Sequence, residues 1–232
     1  MKRALTIIAI FAFFIGGCAS IEGTRNKSYT YKQNAPYKNF SKIAIFPIEE
    51  SSKFPSLPDL LEKKVCDELM VAVPGLQVLN SPAFSFALHQ NGKLESFSSW
   101  YTTYKTTRYL DYNRLNEVTD SLDVQYLLSI RSLDIDREKI HAVDSGYSGM
   151  VSDANNVYRT NFKFIGELID IQNRKIVWQG IGYSENINSP KRPLDLFFII
   201  KNQKNPEIDT FLGEMVKVAA KGFVVEMTKR EN

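Results

Sequence analysis

Ile43-Ala44-Ile45-Phe46-Pro47-Ile48 is a run of six residues without a polar side chain. Successive residues of a strand point to opposite faces, so a strand apolar at every position has to be covered on both. Such a strand is expected in a central sheet, and the flanking sequence supplies the covering layers. Ser56, with Asp59 three residues later, predicts a helix start. Leu57, Leu60, Leu61, Val65, Leu69 and Val73 follow at helical spacing until Pro74-Gly75 ends the run. Leu76 to Leu79 reads as a second short strand, and Ser81-Pro82 opens a helix to about Gln90 that Asn91-Gly92 closes.

Periodicity then fails from Lys93 to Leu110, a Ser/Thr-rich segment holding Phe97, Trp100, Tyr101, Tyr104 and Tyr109, which reads as an insertion. A helix is expected from Tyr112 to Leu122, and Val124, Tyr126, Leu128 and Ile130 alternate with polar residues in a strand reaching about Lys139. Residues 141 to 157 are a long polar connection. Asn161 to Ile171 and Lys175 to Tyr183 predict an antiparallel hairpin across Gln172-Asn173-Arg174. After the apolar run Leu196 to Ile200, Asn205-Pro206 opens a final helix with Ile208, Phe211, Leu212, Met215, Ala219, Gly222 and Phe223 on one face. The pattern predicts one α/β sandwich of two or three layers with a mixed central sheet, a β-hairpin and a C-terminal helix.

The N-terminus carries different information. Met1-Lys2-Arg3 precedes twelve residues, Ala4 to Ile15, that are apolar except for Thr6, and then Gly16-Gly17-Cys18. A positive head and a short apolar stretch make a secretory signal peptide, and twelve residues fall short of the roughly 20 that a transmembrane helix needs. Ile15-Gly16-Gly17-Cys18 resembles the bacterial lipobox, in which the cysteine is lipidated and becomes the first residue after cleavage. The expected organisation is residues 1–17 as signal peptide, 18–40 as lipidated Cys18 and a polar tether, and 41–232 as the α/β domain. That resemblance implies attachment to a membrane through Cys18 and a periplasm-facing domain. Ala19 and Ser20, with no Asp after the cysteine, imply by the rule for enteric lipoproteins an outer-membrane location.

The order of elements, with Leu168-Ile169-Asp170-Ile171-Gln172-Asn173-Arg174-Lys175-Ile176-Val177-Trp178-Gln179-Gly180 as the closest local match, resembles the CsgG/LpoB/TolB-N-like family of periplasmic lipoproteins. The family shows Thr-Gly where this turn has Asn173-Arg174. The resemblance spans roughly Ser41 to Tyr183. It implies a domain without catalytic residues that assembles or regulates envelope machinery with a protein partner. It leaves open a homo-oligomer, as in the branch that forms secretion channels.

The residues themselves offer little chemistry. Lys and Arg number 29 against 26 Asp and Glu, and removal of Lys2 and Arg3 leaves 27 against 26, a balance that argues against nucleic acid as a partner. His89 and His141 are isolated, and no phosphate-binding glycine loop or nucleophile elbow occurs in the mature chain. Glu49-Glu50 point to opposite sides of a strand end, whereas Asp134 and Asp136 share a face without further oxygen ligands, so neither pair makes a catalytic or calcium site. With Cys18 lipidated, Cys66 has no disulfide partner and reads as a small buried hydrophobe. No enzyme activity, cofactor or metal is expected. Two segments remain as candidate contact surfaces: Phe97, Trp100, Tyr101 and Tyr104, whose types dominate interfaces, and Leu196 to Ile200.

Overall fold

In a computed structural model, the described residues are 23–33, 41–48, 56–142, 156–188 and 206–229. They form seven strands: β1 (Gly23–Asn26), β2 (Tyr29–Gln33), β3 (Lys42–Ile45), β4 (Gln77–Leu79), β5 (Tyr126–Ala142), β6 (Asn156–Asp170) and β7 (Lys175–Asn188). The helices are α1 (Leu57–Ala72), α2 (Ser81–Gln90), α3 (Leu94–Thr107), α4 (Tyr112–Thr119) and α5 (Pro206–Thr228), with a 3-10 turn at Asp120–Leu122. The strands make one mixed sheet in the order β1-β7-β6-β5-β3-β4, with β2 also pairing β7. β3 runs parallel to both β4 and β5, and β5, β6 and β7 form an antiparallel meander.

The apolar first run behaves as its composition requires. Ile43 and Ile45 enter one core with α1 and α5, and Ala44 and Phe46 enter the other with α2, α3 and α4. The second core is confined to one end of the sheet, where the molecule has three layers. Along the outer halves of β5, β6 and β7 the face opposite α5 carries the exposed Asp134, Asp136, Glu138 and Lys163, so the described residues form two layers there. Gly166 lets the Phe223 ring of α5 lie on the sheet, because a Cβ there would run into that ring.

Three expectations change. Lys93 to Leu110 is not an irregular insertion: most of it is α3. Residues 18–40 are not all tether, because 23–33 are strands β1 and β2 on the edge of the sheet, with Gly23 opposite Ile187 and Tyr29 opposite Ile181. Ser56 makes no side-chain cap at α1, and the residue capping α2 is Asn80, whose side chain accepts from the Ala83 amide, placing Ser81 inside the helix. The Ser81 amide and hydroxyl instead donate to the buried Glu62 carboxylate at 2.5 and 2.6 Å, which ties α2 to α1.

The hairpin has the expected pairing, and its turn shows what replaces glycine. Arg174 sits at φ 53°, the left-handed region, while Asp170 accepts from the Asn173 amide and side chain at 2.8 Å each.

Candidate functional site

Phe97, Trp100, Tyr101 and Tyr104 occupy one stripe of α3, and that stripe faces inward. Phe97, Trp100 and Tyr104 are 3%, 2% and 2% exposed. Their rings surround Phe46 of the central run, at centroid distances of 5.5 Å from Phe97 and Trp100 and 5.2 Å from Tyr101. Trp100 stacks on Tyr104, its indole N–H donates to the Asp111 carbonyl at 3.0 Å, and the Tyr101 hydroxyl donates to the Pro47 carbonyl at 2.8 Å. Phe97, Trp100 and Tyr104 are thus part of the domain's own core, and Tyr101 is half-buried beside them.

Beneath Tyr104 lies a polar cluster that the sequence reading missed. Glu167 of β6 is 4% exposed, although the stretch around it, residues 164–169, is otherwise apolar. Its carboxylate accepts from the Tyr104 hydroxyl, from Arg131 at 2.8 Å and from Gln179 at 2.6 Å. Burial opposes the charge on Glu167, but the Tyr104 hydroxyl and the Arg131 guanidinium outweigh it and hold the carboxyl below its ordinary range. Burial and the neighbouring carboxylate push the Tyr104 hydroxyl up. Tyr31 of β2 is also raised, by burial and then by Glu167. The group is an ion pair completed by hydrogen bonds that fastens α3 to the sheet; a carboxylate held by three donors is a poor base. A single charge within the otherwise apolar run 164–169 was the signal that could have revealed it.

The other candidates are dispersed. Cys66 is buried, and desolvation, with help from Glu62 and Asp67, pushes its thiol up to about 12, far from the thiolate that reactivity needs. His89 is exposed in the last turn of α2, and His141 lies on β5. Asp134 and Asp136 are exposed on one face, and no group of three metal-ligating side chains occurs among the described residues. Cys18, Glu49-Glu50 and Leu196 to Ile200 lie outside the described residues.

The N-terminal strands form a second arrangement, a clasp. The Ser28 hydroxyl accepts from the Tyr183 amide at 2.9 Å, and the Lys27 amide donates to the Tyr183 carbonyl at 2.8 Å. Lys27 pairs with Glu185 at 2.9 Å, and the indole N–H of the buried Trp178 donates to Thr30 at 3.0 Å. Asn26 fits against Gly222 of α5, where a Cβ would collide with its side chain. These contacts fix the chain on both β7 and α5 from Gly23 onward.

No protein-family model and no curated protein sequence matches the chain. Several solved structures are similar in shape. The PelC dodecamer from Paraburkholderia phytofirmans is 13% identical, with 90% of this chain and 100% of that chain covered at a TM-score of 0.42. The hypothetical protein CT253 from Chlamydia trachomatis is 12% identical, with 82% and 96% covered at 0.46. Lipoprotein GNA1162 from Neisseria meningitidis is 13% identical, with 74% and 98% covered at 0.40. At these TM-scores the likenesses carry no argument about what this chain does.

Proposed function

We propose that this protein is a lipid-anchored bacterial envelope lipoprotein, attached through Cys18 to the outer membrane, whose α/β domain faces the periplasm and acts as a non-enzymatic assembly or regulatory subunit. The observation that carries the reading is Ile15-Gly16-Gly17-Cys18 directly after a short apolar stretch with a basic head. Small residues at 16 and 17 let an extended backbone enter a peptidase cleft, and the thiol supplies the nucleophile for a thioether to diacylglycerol. Several acyl chains then give stable anchoring. The non-enzymatic part is supported by the use the fold makes of its buried reactive groups. Glu167, Tyr104 and Arg131 lock one another, Glu62 holds α2, and Cys66 is kept protonated. The mixed sheet, hairpin and final helix form the α/β sandwich expected from the sequence, a fold compatible with such a subunit.

Affinity purification of the lipidated protein from its native envelope after mild crosslinking, beside a Cys18→Ala control, tests this reading. A defined envelope partner that disappears in the control is expected. Recovery of the protein only with itself, as one large assembly, would overturn the adaptor reading in favour of an oligomeric channel subunit.

A further inference from the structure

Cys18 is separated from the first residue of β1, Gly23, by residues 19–22 alone. Covalent geometry limits five residue steps to about 18 Å, whatever conformation they take. The apparent tether of more than twenty residues is therefore cut to four by the clasp that holds β1 and β2 on β7 and α5.

Register then says which part of the domain is held close. Gly23 pairs with Ile187, Ile187 with Arg159 and Arg159 with Glu138, so one row crosses β1, β7, β6 and β5 at a single end of the sheet. The β6–β7 turn, at residues 171–174, lies at the opposite end. From Arg159 to Asp170 is eleven residues of continuous strand, about 37 Å at a strand's rise. The near end is polar: Arg159 bridges Glu138 and Glu185, and the Arg137 guanidinium lies 4.2 Å from the Tyr158 ring centroid. Side chains of this kind are suited to lie at headgroup level.

We infer that the domain stands on the lipid surface by the Gly23–Ile187–Arg159–Glu138 end of its sheet, with the β6–β7 turn and the α2–α4 layer pointing away from the membrane. This orientation rests on anchoring through Cys18. It makes the distal, three-layered end the part offered to the periplasm, and it limits the reach of the protein to the length of its own sheet.

Energy transfer to a headgroup dye tests the orientation. Full-length lipidated protein would be reconstituted in vesicles with a fluorophore at Asp136→Cys or at Gln172→Cys; both positions are exposed and the buried Cys66 thiol stays unlabelled. Transfer should be strong from position 136 and several-fold weaker from position 172. Equal, strong transfer from both would mean that the domain lies flat, and equal, weak transfer would mean that the clasp is open; either overturns the orientation. Co-flotation with vesicles separates the two readings. Wild type that floats while Cys18→Ala does not supports the anchor independently of transfer, and wild type that fails to float overturns the anchor and the orientation with it.

Discussion

Glu167 shows how one residue joins layers that the backbone does not connect. Its carboxylate receives the Tyr104 hydroxyl from the helical layer and Arg131 and Gln179 from the neighbouring strands. Glu167→Gln should cost roughly 3 kcal/mol, because it leaves a half-buried guanidinium without its counter-charge, and Tyr104→Phe about 1–2 kcal/mol; denaturant titration reads both. The pH dependence has a definite sign. The folded carboxyl titrates below its ordinary value of 4.5, so its contribution is fully present above that value. It is lost as pH falls from there through the lower folded value, where the unfolded chain takes up the proton first. The stability gap between wild type and Glu167→Gln should therefore be constant from pH 7 to about 5 and shrink below about 4. Arg174 gives a prediction of opposite direction. It holds a left-handed conformation that glycine adopts freely, so Arg174→Gly should raise stability by about 0.5 kcal/mol in the same titration.

At the scale of elements, α3 and the β1–β2 clasp carry the predictions. Trp100→Ala should destabilise the domain by roughly 3–5 kcal/mol through loss of a filled aromatic site. A pull-down under native conditions should lose all partners only in proportion to the fraction unfolded. Gly222→Val should displace Asn26, and hydrogen exchange should then show faster amides in 23–28 while β5 and β6 stay protected. The helix α3 also shows where sequence reasoning stopped. Its inward positions 97, 100 and 104, with the half-buried 101, have the helical period, yet Ser and Thr fill the outer face and favour other conformations. In the structure, Thr102, Thr103, Thr106 and Thr107 return their hydroxyls to carbonyls four residues earlier. β3 was legible because both of its faces are buried, and α5 because one whole face is apolar. β1 and β2 were not, since edge strands with a solvated face carry polar residues and depend on pairing with β7, roughly 150 residues away. Glu167 escaped for a related reason: its partners come from three other elements, and no local spacing records them.

For the whole molecule, the clasp converts a polar N-terminal segment into part of the sheet and brings the domain within about 18 Å of Cys18. With the proposed anchor at Cys18, membrane attachment and domain orientation would be one property of the chain. The three-layered end, built on the α2–α4 core, is stabilised by the aromatic stripe and Glu167, whereas the two-layered end carries charges on an open face. Mass spectrometry of the N-terminal peptide of the protein isolated from bacterial membranes reads attachment through Cys18 at the atom concerned. The expected peptide begins at Cys18 and carries diacylglycerol on its thiol. A mature N-terminus at any other residue, or an unmodified Cys18, would contradict that attachment.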